Sequence, residues 1–205
     1  MFDLSLYLVT DRSLSLDRDM EWIVEEAVKG GVTMVQLREK ECSTRDFIEL
    51  AIRLKQKLAP YNVPLIINDR ADVALAANAD GLHIGQSDIK YNMARQLLGA
   101  DKIIGLSVEN MEQVYESNNM DVDYIGISPV FSTATKTDTA LPFGLEGIRD
   151  VMAICNHPAV AIGGINLTNV REIMAAGAHG IAVVSAICSA ESPKAAAIEL
   201  KQKLI

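Results

Sequence analysis

The sequence has few cysteines, and their spacing matches no cysteine-based site. Its 205 residues include only Cys42, Cys155 and Cys188, which lie far apart and form no CxxC pair. An odd, dispersed set argues against both a disulfide framework and a structural zinc site. We expect three reduced thiols buried in the fold.

Long apolar runs are also missing from the chain. No run reaches the roughly 18 residues that a membrane span needs. The N-terminus lacks the basic stretch and the apolar run that together mark a signal peptide. The sequence therefore predicts a cytoplasmic protein with no membrane partner.

Positive charge is scarce relative to negative charge. The chain has 19 Lys and Arg against 27 Asp and Glu, which gives a formal net charge of −8. Because such a chain repels phosphate backbones, nucleic acid is not an expected partner. A local cluster of cations can still bind a small anionic substrate, so small molecules remain the expected partners.

Short apolar segments alternate with amphipathic helical patterns along the whole chain. The apolar segments are rich in Val, Ile and Leu, as in parallel strands that are buried on both faces. The clearest helix is Thr44–Leu58, where Ser43 and Asp46 resemble a capping box. The predicted strands are Leu6–Thr10, Met34–Glu39, Pro64–Asp69, Gly81–Gly85, Ile103–Val108, Tyr124–Phe131, Ala159–Ile165 and Gly180–Ile187.

This alternation predicts one domain, residues 1–205, with the fold of a single (β/α)8 TIM barrel. Eight strand–helix units in about 200 residues fit a small barrel of this class. The alternative is an open doubly wound sheet, which usually has fewer strands, and no GxGxxG follows the first strand here. Barrel enzymes place their chemistry at the C-terminal ends of the strands, so polar residues there are candidates for function.

The second predicted strand carries polar residues on its inward face. Strand side chains alternate between faces, which places Gln36 and Arg38 in the mouth of the barrel, and Lys40 follows two residues later. A buried guanidinium needs a negative partner. That partner is either a bound anion or, in a purely structural alternative, a neighbouring carboxylate such as Asp69.

The third and fourth predicted strands bring two carboxylates to the same mouth. Asp69 and Asp88 emerge from adjacent strands, and oxygen ligands with room for water suit Mg²⁺. The alternative makes Asp69 the N-cap of the next helix and Asp88 a turn residue. His83 should face the barrel interior, and a lone histidine there is more often a hydrogen-bonded core residue than a catalyst.

Candidate anion-binding residues also lie at the ends of the last three strands, and those of the seventh and eighth strands suggest a second, neutral anion site. Hydroxyls and a lysine in the segment Ser128–Lys136 could cradle an anion, although a plain polar loop is the alternative. Gly163, Gly164 and Ser185 lie toward the ends of the seventh and eighth predicted strands, whose loops commonly bind phosphate through backbone N–H groups. Two anion sites suggest two phosphorylated substrates.

Taken in order, these residues resemble the thiamine phosphate synthase family. Each glycine motif is weak by itself, but the ordered set is specific and covers nearly the whole chain. The matching segments are Tyr7–Arg12, Gln36–Lys40, Asn68–Asp69, Gly81–Asp88, Gly105–Ser107, Thr133–Lys136, Ile162–Ile165 and Val184–Ile187.

The resemblance implies a transferase that joins 4-amino-2-methyl-5-hydroxymethylpyrimidine diphosphate to a thiazole phosphate by Mg²⁺-assisted dissociative substitution. The catalytic residues would be Arg38, Lys40, Ser107 and Lys136, which with Asn68 would hold the pyrophosphate. Gln36 and His83 would lie at the pyrimidine. Asp69 and Asp88 would bind Mg²⁺. The residues that would bind the thiazole phosphate are Thr133, Thr135, Gly164, Val184 and Ser185.

Two alternative functions remain at this point. A thiazole tautomerase of the same fold is expected to carry a histidine near the end of the sixth strand, where this chain has Ser128, and to lack much of the cationic set. A non-catalytic ligand-binding barrel has little reason to keep so many charges at one mouth. The sequence leaves the oligomeric state open, a homo-oligomer included.

Overall fold

The computed structural model describes residues 2–132 and 141–204. Eight parallel strands in these residues close into a barrel in sequence order, because β1 pairs with both β2 and β8. The strands are β1 Leu6–Val9, β2 Met34–Leu37, β3 Leu65–Asn68, β4 Gly81–Ile84, β5 Ile103–Val108, β6 Tyr124–Ile127, β7 Ala159–Ile162 and β8 Gly180–Val183. The predicted (β/α)8 TIM barrel is confirmed.

Helices connect the strands and form the outer layer. In the described residues the α-helices are α1 Met20–Lys29, α2 Thr44–Leu58, α3 Ala71–Ala76, α4 Tyr91–Leu98, α5 Met111–Ser117, α6 Gly144–Ile154, α7 Val170–Ala175, α8 Ser185–Cys188 and α9 Pro193–Lys203. Short 3-10 helices span Arg12–Leu14 and Ala59–Tyr61. None of these helices combines the length and the apolar character needed to cross a bilayer.

Helix α2 has the bounds that the sequence predicts, and its N-terminus explains why. The Ser43 hydroxyl accepts the Asp46 N–H at 3.2 Å and donates to the Asp46 carboxylate at 2.7 Å. This reciprocal contact satisfies an N–H group that the first helical turn leaves without an acceptor. The buried stripe, which includes Phe47, Leu54 and Leu58, then packs against the barrel.

Two apolar layers hold the barrel together. The larger layer lies between the strands and the surrounding helices. The smaller layer fills the barrel interior and includes Tyr7, Met34, Ile66, Tyr124 and Val160. Alternation of side chains along each strand separates the two layers, as the period of a strand requires.

The three cysteines are free thiols, as expected, but only one of them is fully buried. Cys188 is buried, whereas Cys42 and Cys155 are half-buried. The expectation of three buried thiols is therefore wrong for Cys42 and Cys155, which lie where the outer layer meets solvent.

Several strands end earlier than the sequence predicts. Strand β2 ends at Leu37, and the next backbone N–H, that of Arg38, donates to the Thr10 hydroxyl at 3.0 Å. Strand β6 ends at Ile127 rather than Phe131, and β7 ends at Ile162 rather than Ile165. The predicted strand through Ile187 is wrong beyond Val183, since Ser185–Cys188 forms helix α8.

Gly105 makes the interior packing possible. A Cβ atom at this position would overlap the Tyr124 ring and lie 2.6 Å from His83 Nδ1. Because Gly105 on β5 has no side chain, the rings of His83 from β4 and Tyr124 from β6 can occupy this space. At Gly126 a Cβ atom would lie 3.4 Å from the His83 ring, close to ordinary van der Waals contact.

Gly105→Ala should consequently lower the free energy of unfolding by about 3 kcal/mol, the upper part of the range for overpacked cores. Urea denaturation would measure the change. Gly126→Ala is the matched control, because it adds the same methyl group to the same interior and should change stability by less than about 1 kcal/mol. Equal losses in the two variants would contradict this account of Gly105.

Candidate active site

A cavity of about 880 Å³ opens at the mouth of the barrel, where the C-terminal ends of the strands meet. Its wall includes every predicted site residue that the structure describes. These residues are Gln36, Arg38, Lys40, Asn68, Asp69, His83, Asp88, Ser107, Gly164, Val184 and Ser185. The predicted residues Thr133, Thr135 and Lys136 lie outside the described residues.

Arg38 is held at the mouth by a carboxylate that the sequence analysis did not identify. Its Nη1 atom donates to Asp11 Oδ2 at 2.5 Å, and both side chains are largely buried. The structural alternative named Asp69 as the partner, and that assignment is wrong because Asp69 bonds to Lys40. Asp11 follows β1, the neighbour of β2, so strand adjacency was the signal that could have identified it.

A second ion pair, between Arg12 and Glu39, also joins the loops after β1 and β2. Arg12 donates through Nε and Nη2 to the two carboxylate oxygens of Glu39, at 3.0 and 2.7 Å. The Glu39 side chain is almost fully buried, and a two-point contact fixes its orientation. Residues 38 and 39 thus each bind one residue of the loop after β1, which restricts where Arg38 can move.

Lys40 and Asp69 form the next pair around the mouth. Lys40 Nζ donates to Asp69 Oδ2 at 2.7 Å. Asp69 adopts a positive φ of 62°, a conformation that is strained for a residue with a side chain and is common at functional sites. It is not the N-cap of α3, because Arg70 occupies that position without a capping bond.

Asp69 and Asp88 share one environment, as the prediction of a paired carboxylate site requires. Burial raises the pKa of Asp69, but the Lys40 hydrogen bond, the Asp88 hydrogen bond and the Lys40 charge outweigh it and lower the pKa. For Asp88, burial together with the hydrogen bond and charge of Asp69 raises the pKa above its ordinary value. The two carboxylates are therefore close enough to shift each other's pKa in opposite directions.

Asp88 also has the turn role that the alternative proposed. Its Oδ2 atom accepts the Gly85 N–H at 2.8 Å, which closes the turn after β4. The turn contact and the contact with Asp69 coexist, so the structural role does not exclude a metal role. The turn instead fixes the direction in which Asp88 presents its carboxylate.

The Asp69–Asp88 pair has the donor chemistry of a Mg²⁺ site. Two carboxylates in one environment can together hold a divalent cation. Among residues 2–132 and 141–204, no cluster of three or more His, Cys, Asp or Glu side chains forms a metal cage. Mg²⁺ does not require one, because it usually keeps several waters and binds one or two carboxylates plus substrate phosphates.

Polar side chains of the barrel interior connect to this side of the cavity. His83 Nδ1 lies 2.9 Å from the Tyr124 hydroxyl, and His83 Nε2 lies 2.8 Å from Ser107 Oγ. Gln36 Nε2 donates to the Tyr7 hydroxyl at 2.9 Å. His83 is the hydrogen-bonded core residue that the sequence predicts. Tyr7 and Tyr124 were missed, although each lies within a predicted strand.

The opposite side of the cavity is formed largely by backbone. Gly163 and Gly164 have φ values of 103° and 66°. Val184 and Ser185 begin helix α8, in which Ile187 and Cys188 donate to the Val184 carbonyl oxygen. The first two N–H groups of the helix, those of Ser185 and Ala186, precede these bonds and have no carbonyl one turn back. We call Arg38, Lys40, Asn68, Asp69, Asp88 and Ser107 the charged side, and we call Gly163, Gly164, Val184 and Ser185 the backbone side.

Gly164 leaves space for the loop after β6 in the direction that a side chain would take. A Cβ atom there would lie 2.8 Å from Phe131 Cβ and 2.9 Å from the Ser132 carbonyl oxygen. The predicted role of Gly164 at the thiazole phosphate stays a prediction, because these contacts concern the side-chain direction and not the backbone N–H. Its missing side chain lets the loop after β6 close over the end of β7.

Comparison with known proteins decides the family. Residues 6–187 match the family described as thiamine monophosphate synthase. The chain belongs to this family. It is an enzyme of thiamine biosynthesis and a transferase of the thiamine-phosphate synthase type.

Relatives of this family align over almost the whole chain. Thiamine-phosphate synthase of Albidiferax ferrireducens is 54% identical over 199 residues, which cover 97% of this chain and 91% of the relative. The enzyme of Syntrophomonas wolfei is 52% identical over 200 residues, or 98% and 96% of the two chains. The solved structure of thiamine phosphate pyrophosphorylase from Pyrococcus furiosus superposes with a TM-score of 0.90 at 38% sequence identity. The match covers 98% of this chain and 95% of the Pyrococcus chain.

The contacts of Gly164 lead to a stability prediction. Gly164→Ala should lower the free energy of unfolding by about 3 kcal/mol, through backbone strain at positive φ and overlap with the loop after β6. The matched control is Gly144→Ala, since Gly144 has a φ of 63° but nothing within 4 Å of a Cβ atom. It should lose only the strain, about 1 kcal/mol. Chemical denaturation measures both values, and a larger loss at Gly144 would contradict the assignment.

Proposed function

We propose that the chain condenses 4-amino-2-methyl-5-hydroxymethylpyrimidine diphosphate with a thiazole phosphate, which yields thiamine phosphate and pyrophosphate. The observation that carries the proposal is the division of one cavity into a charged side and a backbone side. The charged side suits a diphosphate with its metal ion, and the backbone side suits a monophosphate. The membership of the chain in the thiamine monophosphate synthase family supports the same pair of substrates.

The charged side would bind the diphosphate before it leaves. Arg38 uses one N–H group for Asp11 and has four further guanidinium donors for phosphate oxygens. Lys40, Asn68 and Ser107 line the cavity beside it and would donate to the same group. Lys136, outside the described residues, would add a third cation. Because ion pairs already orient Arg38 and Lys40, little reorganisation is needed when negative charge develops on the leaving group.

The backbone side would bind the thiazole phosphate. Backbone N–H groups at a positive-φ glycine pair and at a first helical turn can surround an oxyanion without adding a formal charge. Gly164, Val184 and Ser185 would supply these groups, with Thr133 and Thr135 from the segment outside the described residues. Neutral donors suit a phosphate that only anchors its substrate and is not transformed in the reaction.

The reaction itself would be a substitution at the methylene carbon of the pyrimidine. The carbon–oxygen bond to the diphosphate breaks, and its electron pair leaves with pyrophosphate. The electron-rich aminopyrimidine stabilises the resulting cation, and the thiazole nitrogen donates its lone pair to form the new carbon–nitrogen bond. Arg38, Lys40 and Ser107 would stabilise the departing charge, and the cavity would align the two substrates. No side chain acts as a nucleophile.

Asp69 and Asp88 would hold Mg²⁺ at the charged side. When bound, Mg²⁺ would neutralise diphosphate oxygens and act as a Lewis acid. The charges of the side chains at this site indicate why a metal ion would be needed. Asp11, Asp69 and Asp88 cancel the charges of Arg38, Lys40 and Lys136, so the side chains alone offer no net positive charge to an anionic leaving group.

An assay with both substrates tests the function directly. We expect equal amounts of thiamine phosphate and pyrophosphate. Arg38→Ala should slow turnover about tenfold to a hundredfold, as the loss of a charge-assisted contact of roughly 1.5–3 kcal/mol implies. Arg53→Ala is the control, because it removes an exposed arginine that pairs with Glu21 on the outer layer.

Two other outcomes of that assay would contradict the proposal. Isomerisation of a thiazole phosphate without release of pyrophosphate would identify a tautomerase. Tight binding of either phosphate with no product would identify a ligand-binding barrel.

Variants of the carboxylate pair test the metal. Asp69→Asn and Asp88→Asn should each raise the Mg²⁺ concentration for half-maximal activity at least about tenfold, the loss seen even for outer-sphere partners of a metal. Asp11→Asn is the matched control, since it should slow turnover through Arg38 and leave the Mg²⁺ requirement unchanged. Titration of activity with MgCl₂ measures both effects. Full activity in excess chelator would overturn the metal assignment.

A further inference from the structure

Five side chains from five different strands form one continuous hydrogen-bonded chain through the barrel. Gln36 Nε2 donates to the Tyr7 hydroxyl at 2.9 Å, and the Tyr7 and Tyr124 hydroxyls are 2.8 Å apart. Tyr124 then contacts His83 Nδ1 at 2.9 Å, and His83 Nε2 contacts Ser107 Oγ at 2.8 Å. All five side chains line the active-site cavity, with Gln36 and Ser107 at the two ends of the chain.

The middle of the chain is sealed from solvent. Tyr7 is 1% exposed and Tyr124 is not exposed at all. Burial raises the pKa of both phenols well above the ordinary value, so each hydroxyl keeps its proton. Each phenol therefore has one proton to donate, and a buried hydroxyl needs a partner for it.

When each hydroxyl donates along the chain, the placement of the Gln36 amide sets the direction of all these protons. Because Gln36 donates to Tyr7, the Tyr7 proton goes to Tyr124, and the Tyr124 proton goes to His83 Nδ1. A histidine that accepts at Nδ1 carries its proton on Nε2, which donates to Ser107 Oγ. The Ser107 hydroxyl then has its own proton to donate elsewhere.

Reversing the Gln36 amide would reverse every bond in the chain. Gln36 would then accept from Tyr7, His83 would carry its proton on Nδ1, and Ser107 would spend its proton on His83. The donor or acceptor role of Gln36 thus determines that of Ser107 at the other end of the chain, and Tyr7 and Tyr124 connect the two.

We propose that Tyr7 and Tyr124 are positioning residues that fix the donor and acceptor roles of Gln36 and Ser107 toward the substrate. With its Nε2 engaged by Tyr7, Gln36 presents the Oε1 acceptor to a ring that carries an amino donor. Ser107 presents a hydroxyl proton to an anionic oxygen. This inference rests on the proposed function for the identity of the two ligands, but not for the hydrogen-bond polarity itself.

The polarity has a consequence for specificity. A pyrimidine with an amino group facing Gln36 pairs a donor with an acceptor. A pyrimidine with an oxo group at that position would place two acceptors together, and a site built for a donor rejects such an analogue strongly. The enzyme should therefore discriminate the amino substrate from its oxo analogue through Gln36, whose orientation Tyr7 and Tyr124 fix.

The tautomer of His83 provides a test that needs no substrate. The chain has three histidines, so ¹⁵N-histidine labelling with long-range ¹H–¹⁵N spectra of the full-length protein gives few signals, and His83→Gln assigns the relevant pair. We expect the Nε2–H tautomer in the wild-type protein. Observation of the Nδ1–H tautomer would overturn the proposal.

Tyrosine variants test the link between the two ends. Tyr124→Phe removes the donor to His83 Nδ1 and should convert the His83 signals from one tautomer to a mixture. Tyr115→Phe is the matched control, because it removes the hydroxyl of an exposed tyrosine on α5 and should leave the signals unchanged. A single unchanged tautomer in folded Tyr124→Phe would also overturn the proposal, and if that variant does not fold, Tyr7→Phe serves in its place.

Kinetics then connect the polarity to substrate binding. Tyr7→Phe and Tyr124→Phe should raise KM for the pyrimidine diphosphate about threefold to tenfold, the effect of one neutral hydrogen bond. KM for the thiazole phosphate should not change, whereas general damage to the barrel would raise both values. Equal increases in the two KM values would contradict a positioning role. Because the spectra are recorded without substrate, failure of the proposed function would leave the tautomer result intact.

Discussion

The narrow interior of the closed barrel is the constraint on which the active site depends. Inward-facing polar groups on short parallel strands are shielded from water and must find partners on other strands. Gln36, Tyr7, Tyr124 and His83 meet this requirement by bonding to one another, and Gly105 supplies the space for two of the rings. Packing and polarity are therefore not separate features here, because the same side chains fill the core and orient the cavity.

The mouth of the barrel follows a related rule, in which loops from neighbouring strands neutralise each other. Residues 38 to 40 contact, in turn, Asp11, Arg12 and Asp69. Each contact joins the loop after β2 to the loop of an adjacent strand, so the cations are oriented before any ligand arrives. Such preorganisation favours charge stabilisation in a transition state, since the protein has little left to rearrange.

The sequence allowed much of the fold to be predicted and less of the site. The order of the eight strands, the bounds of α2 and the positions of Gln36, Asp69, Asp88 and His83 follow from periodicity, capping and strand-end chemistry, which are local properties. The end of the eighth strand could not be predicted in this way, because the mostly apolar segment Val184–Ile187 suits a strand as well as a helix. Its backbone bonding, rather than its composition, makes it helical.

Side-chain partners were the other part that local pattern could not supply. Arg38 needed an anion, which its sequence position shows, but whether Asp11 or Asp69 meets it depends on which loops the closed barrel brings together. The two tyrosines looked like ordinary core residues, and only the tertiary structure placed their hydroxyls in one chain with His83. By itself the sequence determined which residues face the mouth, because alternation along a strand is local. Only the tertiary structure decided which side chains form hydrogen bonds with each other, because the partners, such as Tyr7 and Tyr124, lie far apart in the sequence.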